Sequence, residues 1–351
     1  MSFEIRKTPY IVEYTAEEVT KLLPLYSKED KVLIVDGDII AFKVSSVCEF
    51  KYLFKHKENG DTFKAKSKKE FKNFLEEEDG ELGTIEDYDC EFRQEAEPFS
   101  YCAKTLKDAL ENIMEATECN KLEIYIGGSN NFRSFLPLYP QYKTNRSNQP
   151  RPLLLTQAKE YLINVKGAFK IKGSEADDVV QMRVKQLYEQ GIKSVVYSND
   201  KDLLQNITYN LSNYNPDSGV ISEYPKGVSG LTMKGSSLKG CGVKWLLAQT
   251  MLGDDTDGYS PKKFFKKKYA DKSYYNDFNE IVDHKEFVEK WILKWKDLVG
   301  DKIFVSDYEG FETEHDWLSL AELYYSCAKM VDGDFPTLKD LFKYYGVDYV
   351  L

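Results

Sequence analysis

The sequence predicts an α/β fold: a central, mainly parallel sheet flanked by helices, continued by a helical C-terminal region. Three observations carry this expectation. Strand-like runs alternate with amphipathic helical patterns as far as about Gly240, the pattern of a parallel sheet built by crossovers. Lys31-Val-Leu-Ile-Val-Asp36 and Ser194-Val-Val-Tyr-Ser198 read as buried strands, and both run into acidic residues. From Val243 onward the pattern is mostly helical. Residues 1–30 are then an N-terminal lead-in, 31–249 an α/β core with a hairpin and acidic insertion at 50–100, and 250–351 the helical C-terminal region.

Taken in order, the lead-in up to Asp30 reads as helix-rich. The first core strand ends in Asp36 and Asp38, and the apolar Ile39-Ile-Ala-Phe42 follows. Phe50 to Lys66 alternates apolar and polar residues around Asn59-Gly60, a hairpin signal. Ser67-Lys-Lys-Glu70 is a capping box that opens a short helix. Glu76 to Glu97 contains eleven acids and one arginine; it reads as a mobile surface insertion, with a nucleic-acid mimic or partner-binding tail as the functional alternative. From Thr105, the spacing of Leu106, Ala109, Leu110, Ile113 and Met114 marks an amphipathic helix. Leu122 to Ile126 is the next strand, running into Gly127-Gly128-Ser129. A polar loop carries Tyr142-Lys143-Thr-Asn-Arg146, and Pro150 and Pro152 lead into a helix from about Leu155 to Val165.

The stretch from Gly173 to Asp202 is the densest in chemistry. Ser174 is the expected N-cap of a helix whose first turn holds Glu175, Asp177 and Asp178, where carboxylates suit the helix dipole. Val179, Val180, Val184 and Leu187 bury one side of it. Gly191 ends the helix, and Asp200 and Asp202 follow the next strand, at the edge where open α/β sheets place their ligands. Ile207 to Tyr224 resembles a hairpin turning at Asn215-Pro-Asp-Ser-Gly219.

Composition narrows the chemistry. With 351 residues, 42% of them hydrophobic, the chain can bury a sizeable core. No apolar run approaches the roughly 18 residues of a membrane span, and the N-terminus lacks a signal-peptide pattern. Six cysteines without metal-type pairing suit a reduced, cytoplasmic setting. Three scattered histidines exclude a His-rich zinc site, so any metal is held mainly by oxygen. The net charge of −10 matches that of the Glu76–Glu97 stretch, so the rest of the chain is neutral overall and local basic patches can act on phosphates.

Four acid clusters stand out: Asp36/Asp38, Glu175/Asp177/Asp178, Asp200/Asp202 and Asp254/Asp255/Asp257. Two follow strands and two sit at helix ends. Parallel strands gather their C-termini on one edge, so the clusters can converge. Two Mg²⁺ ions about 4 Å apart would explain the density, activating water and clamping the leaving oxygen in phosphodiester cleavage. Standing alone, Tyr142-Lys-x-Asn-Arg146 would be a solvated loop. Beside a carboxylate pocket its cations can neutralise phosphate, and Tyr142 can stack on a base.

Asp36-Gly, Tyr142-Lys-x-Asn-Arg146, Gly-x-Glu175-Ala-Asp-Asp178, Ser-Asn-Asp200-Lys-Asp202 and Gly-Asp254-x-x-Asp257-Gly-Tyr occur in the order found in structure-specific 5′-nucleases. Over roughly residues 31–260 the chain resembles that flap-endonuclease-like family, most closely its phage 5′→3′ exonuclease and RNase H branch. The resemblance implies a PIN-like core and Mg²⁺-dependent removal of 5′ nucleotides, flaps or RNA primers, with two ions for which Mn²⁺ can substitute. It implies Asp36, Glu175, Asp177, Asp178, Asp200, Asp202, Asp254 and Asp257 as metal ligands. Lys143 and Arg146 would grip the scissile phosphate. The implied partners are DNA and RNA–DNA hybrid with a 5′ end or flap, met by a monomer in the cytoplasm, that of a host cell if the chain is phage-encoded.

The chain departs from the family pattern twice. Gly127-Gly128-Ser129 stands where many relatives carry an Asp. Asp38 is therefore a candidate accessory acid, provided the strand continues that far; as the alternative it caps the following helix. After Asp257, Ser260-Pro-Lys-Lys-Phe-Phe-Lys-Lys-Lys268 replaces the Gly-rich duplex-binding motif. Lys262, Lys263 and Lys266, with Lys267 and Lys268, would grip nucleic acid by charge or form a solvated helix face. Two competing functions remain: a haloacid-dehalogenase-type phosphatase, which the Asp36-Gly-Asp38-Ile pattern resembles, and a nucleic-acid-binding relative with weakened turnover.

Overall fold

The computed structural model describes residues 11–78, 81–138, 141–146, 150–300 and 302–349, which include no helix long and apolar enough to cross a membrane. They fall into two compact units, one of residues up to 36, 117–149 and 169 onward, the other of 37–116 and 150–168.

The first unit is built on a seven-stranded sheet. Across it lie Glu13–Tyr14, Phe169–Ile171, Lys121–Gly127, Lys31–Asp36, Lys193–Tyr197, Leu211–Asn215 and Val220–Tyr224. Every neighbouring pair is parallel except the last, the antiparallel hairpin expected around Asn215–Gly219. The mainly parallel sheet is thus borne out. Its middle strand is buried from Val32 to Asp36, which is why that run shows no polar alternation. Helix Ala176–Glu189 packs Val179, Val180, Val184 and Leu187 against Val32, Ile34 and Val196. Each such side chain contributes about 1.5–3 kcal/mol of burial. The helix N-cap is Glu175, one residue beyond the expected Ser174, because Asp178 reaches back to the Glu175 backbone and closes the cap there.

The lead-in contributes more than helix. Ala16–Leu22 is helical, capped by Thr15 and Glu18, but Glu13–Tyr14 adds an edge strand. In the C-terminal part, helices Gly242–Leu252, His284–Val299, Trp317–Ala328 and Leu338–Tyr344 share a second core around the stacked Trp291 and Trp295. Gly242–Leu252 is buried along its whole length, as its mostly apolar composition favours, with Lys244, Gln249 and Thr250 buried among the apolar side chains. One hairpin, Gly230–Lys234 with Ser237–Cys241, precedes the helical part, and a second, Ile303–Ser306 with Glu312–His315, interrupts it. In the second, Ile303 and Val305 point inward and Phe304 outward, a two-residue period too short to stand out in the sequence.

The second unit holds helices Gly37–Val47, Lys68–Glu77, Phe99–Thr117 (as far as 116) and Leu155–Asn164. It also holds a three-stranded antiparallel sheet ordered Thr62–Ala65, Glu49–His56, Tyr88–Ala96. The Asn59-Gly60 hairpin forms, and Ser67 caps its helix by accepting from the Glu70 N–H at 3.0 Å. The acidic stretch is not simply a mobile insertion. Residues 79 and 80 lie outside the described residues, but Tyr88–Ala96 is a strand. Tyr88 anchors it by packing on Phe63 and Phe71, while Lys64 pairs with Glu95.

Candidate active site

The first unit brings Asp36, Glu175, Asp177, Asp200, Asp202, Asp254 and Asp257 into mutual electrostatic range at one edge of its sheet. Asp36 is the last residue of the middle strand. Asp200 follows the adjacent strand and caps the short helix Lys201–Gln205, its Oδ1 accepting from the Asp202 N–H at 2.8 Å. Glu175 to Asp178 open the helix that crosses the sheet. Asp254 and Asp257 lie on a loop that begins at Gly253, whose φ of +78° reverses the chain after a buried helix. An added Cβ there would meet the Tyr259 carbonyl oxygen at 2.3 Å, so only glycine fits.

These acids repel one another in a dry setting. Burial, then Asp36, Asp200 and Glu175, pushes the Asp177 carboxyl well above its ordinary range, and its Oδ1 is buried with no hydrogen-bond partner among the described residues. Burial, then Asp200, Asp254 and Asp257, does the same to Asp202, and burial raises Asp200. Two acids go the other way. Burial acts to raise Asp254, but Lys201, with Nζ 2.6 Å from Oδ2, holds it below the usual carboxylate range.

Asp178 is the other. Arg133, fully buried, donates to its two oxygens at 2.7 and 2.9 Å, and the Val331 N–H donates to it at 2.9 Å. These contacts overcome burial and hold its pKa down. Both oxygens are therefore engaged by protein donors, unlike Asp177. Sequence reasoning assigned Arg133 no role. A lone arginine shortly after a strand that runs into Gly127-Gly128-Ser129 was the only available signal.

The Tyr142–Arg146 loop is tied to the same acids. Lys143 sits in the left-handed region, φ +59°, uncommon for a side chain of this size. Its N–H donates to the Asp257 carbonyl at 2.9 Å, and its ammonium pairs with Glu175 and lies 3.6 Å from Asp257. Asn145 donates to the Asp255 carbonyl at 2.9 Å, which joins the two loops. Tyr142 is 5% exposed and its hydroxyl donates to Asp257, so the ring is packed inside rather than presented for stacking on a base. Burial, then Glu175 and Asp257, pushes that hydroxyl far up, which keeps it a donor. Arg146 ends the short helix Thr144–Arg146.

Three other expectations are corrected or refined. The middle strand stops at Asp36 and helix Gly37–Val47 starts at the next residue, so the strand does not continue as far as Asp38 and does not turn its side chain to the face of Asp36. Asp38 belongs to the second unit, in the first turn of that helix, where Lys159 Nζ lies 2.5 Å from its Oδ1. A Cβ on Gly128 would lie 2.2 Å from the Ile171 carbonyl oxygen and 3.0 Å from Glu13 Oε1, so no carboxylate can be restored there without moving a strand. Lys262 and Lys263 lie on the short helix Pro261–Phe264, and Lys266 follows it. Lys262 is 4.0 Å from Asp271, and Lys263 lies over the Phe264 ring.

The residue set suits a hard divalent cation. All its donors are carboxylate oxygens, several are buried at mutual cost, and one is an orphaned buried oxygen. Among the described residues, no three of these groups already close around one point as ligands do.

Comparison with known proteins follows the same line. Residues 92–229 match the family model of the 5′-3′ exonuclease N-terminal resolvase-like domain. A 5′-3′ exonuclease of Buchnera aphidicola from Acyrthosiphon pisum is 37% identical over 87 residues, 24% of this chain and 30% of that protein. The 5′-3′ exonuclease of the Schizaphis graminum strain is 27% identical over 188 residues, 49% of this chain and 62% of that protein. The chain thus spans less than two thirds of the length of either relative. Among solved structures, a bacteriophage T5 flap endonuclease in a pseudo-enzyme-product complex with DNA and metal ions is 14% identical, with a TM-score of 0.47 over 90% of this chain and 96% of that one. A T5 5′-exonuclease with bound zinc ions gives 14% and 0.46 over 90% and 97%. The family that the ordered motifs resemble is thus the one matched by comparison, and over residues 92–229 the chain is similar to the N-terminal resolvase-like domain of 5′-3′ exonucleases.

Proposed function

We propose that the chain is a divalent-metal-dependent 5′→3′ nuclease that hydrolyses phosphodiester bonds at 5′ ends or flaps of DNA and of RNA–DNA hybrids, in primer removal or DNA degradation during phage replication. The observation that carries this reading is the gathering of the acids at one sheet edge, with Asp177 and Asp202 buried among their neighbours and the Lys143 ammonium paired to Glu175. Asp36, Glu175, Asp177, Asp200, Asp202, Asp254 and Asp257 would hold two Mg²⁺ ions, with Mn²⁺ a substitute. When bound, the cations supply activation of the attacking water and neutralisation of the leaving oxygen. Asp178 is better used in fixing Arg133.

The chain's own residues supply the rest. Glu175 and Asp257 hold the Lys143 ammonium beside the acids, and the turn at Lys143 fixes its approach. A phosphate entering there meets a positioned cation whose charge is worth most where water is excluded. Arg146 would add a second contact from the same loop. Tyr142 serves this centre by donating to Asp257, with Glu175 Oε2 3.1 Å from the same hydroxyl. Lys262, Lys263 and Lys266 would hold the duplex backbone by charge. The protein acts as a monomer in the cytoplasm.

Cleavage of 5′-labelled duplex, nicked, flapped and RNA-primed substrates, with and without Mg²⁺, tests the reading; cleavage in excess EDTA would sink it. A second reading, a binder with weakened turnover, is favoured by Gly128, where the Ile171 carbonyl leaves no room for a carboxylate. Metal-dependent binding without any cleavage would select it.

A further inference from the structure

The acid side chain of Asp202 is held by a buried pair of amides that no sequence motif marks. Gln249 lies on the uniformly buried helix Gly242–Leu252, and its Nε2 donates to Asp202 Oδ1. Gln205 Nε2 donates to Gln249 Oε1 at 2.7 Å and to the Ala328 carbonyl at 2.8 Å, while its Oε1 accepts from the Met330 N–H at 3.0 Å. Gln205 and Gln249 are only 3% and 2% exposed.

The direction of this chain is fixed by a group that cannot turn round. A backbone N–H only donates, so Met330 requires the oxygen of Gln205 on its side. The amino group of Gln205 then faces Gln249 and requires the oxygen of Gln249. The amino group of Gln249 is left for Asp202, whose carboxylate accepts it. Reversing either amide would set donor against donor or leave a buried group unpaired, at about 1–3 kcal/mol. The same backbone segment, Cys327 to Val331, also accepts from Arg133 and donates to Asp178. One strap therefore anchors groups in two acid clusters.

We infer that Gln249, oriented by Gln205 and the Ala328–Met330 backbone, is a positioning residue that commits Oδ1 of Asp202 and leaves Oδ2 to ligate a divalent cation. The inference rests on the proposed metal-dependent site and adds to it the device that aims one ligand. Groups that orient a ligand in this way are worth about 10- to 100-fold in metal affinity or activity.

The test uses the full chain and Mn²⁺ alone, titrated by calorimetry without nucleic acid. Gln249→Met, which keeps the volume and removes the donor, should weaken Mn²⁺ binding about 10-fold or more. Gln205→Met should weaken it less, and the double variant should bind no more weakly than Gln249→Met, because Gln205 acts through Gln249. In cleavage, kcat of Gln249→Met should fall with KM for labelled DNA unchanged. Gln249→Leu, which also lacks the donor, should lose as much affinity; it replaces the Met variant if that fails to fold. Unchanged Mn²⁺ affinity in a folded Gln249 variant, or additive losses in the double variant, would overturn the inference. Coupled Mn²⁺ losses in a protein that never cleaves would defeat the nuclease reading and leave this one standing. A wild-type chain that takes up no Mn²⁺ would end both.

Discussion

Replacing Arg133 with methionine keeps most of the side-chain length and removes the charge and every donor. Arg133 donates to both oxygens of Asp178 and to the carbonyls of Cys327 and Lys329, the last two at 3.0 and 2.6 Å. Breaking one side of a buried ion pair costs about 3–5 kcal/mol, mostly through the stranded charge. Proton uptake limits that share. Neutralising a carboxyl of ordinary pKa about 3.9 costs about 4 kcal/mol at pH 7 and about 1.5 kcal/mol at pH 5. The two orphaned carbonyls add about 1 kcal/mol each at either pH. Arg133→Met should therefore lose about 6 kcal/mol at pH 7 and about 3.5 kcal/mol at pH 5. The sign follows from linkage. In the wild type Asp178 is held below its unfolded value, so its contribution is present above that value and lost as pH falls through the folded one. In the variant the folded value is raised, and the contribution is lost as pH rises. Urea unfolding at the two pH values measures the difference. Arg133→Met with Asp178→Asn should show a penalty that no longer changes between them. An equal penalty at pH 5 and pH 7 in Arg133→Met would refute the stranded-charge argument.

The other perturbations are simpler to read. Gly128→Ala should destabilise by about 1–3 kcal/mol in thermal or urea unfolding, because its methyl collides with the Ile171 backbone; a neutral substitution would mean the strand yields. Lys143→Ala should lower the single-turnover cleavage rate about 100-fold or more with little change in substrate affinity, and weakened affinity alone would make Lys143 a binding residue only. Asp177, Asp200 and Asp202 have raised folded values, so in chelator their stabilising contribution is complete below the unfolded value and lost as pH rises through the folded ones. Metal-free Tm should thus decline as pH rises above the ordinary aspartate range, Asp178 and Asp254 acting in the opposite sense at more acid pH, and Mn²⁺ should remove the decline. Scanning calorimetry would contradict this with a metal-free Tm that stays level.

What could be read in the sequence was whatever local chemistry decides. The Lys31–Asp36 strand, the Val179–Leu187 helix face and the Asn59-Gly60 hairpin are set by apolar spacing and turn preference, and each formed as expected. The acids that converge were legible because strand ends and helix starts hold them, and parallel strands share an edge. Asp38 was open to two readings for a local reason: the accessory-acid reading needs the strand to continue past Asp36, and the chain turns helical at Gly37. Tyr142 was misplaced because its loop reads as polar, while its burial comes from Tyr259 and the acids, brought together by tertiary contacts. Arg133, Gln205 and Gln249 were missed because each acts through partners 40 or more residues away. Only Gln249 left a trace, as an amide inside a mostly apolar helix. Gly128 could be noted as a departure, but the reason no side chain fits is the Ile171 carbonyl on a neighbouring strand.

The central claim is that the acid pocket cuts phosphodiester bonds only with divalent cations in place. The most direct measurement is single-turnover cleavage of a 5′-labelled flapped duplex by wild type and Asp200→Asn, across a Mg²⁺ titration and in excess EDTA. The account predicts release of short 5′ products by wild type that rises with Mg²⁺ and vanishes in EDTA, and a loss of several orders of magnitude in Asp200→Asn. Cleavage that persists in EDTA, or that Asp200→Asn leaves intact, would contradict it.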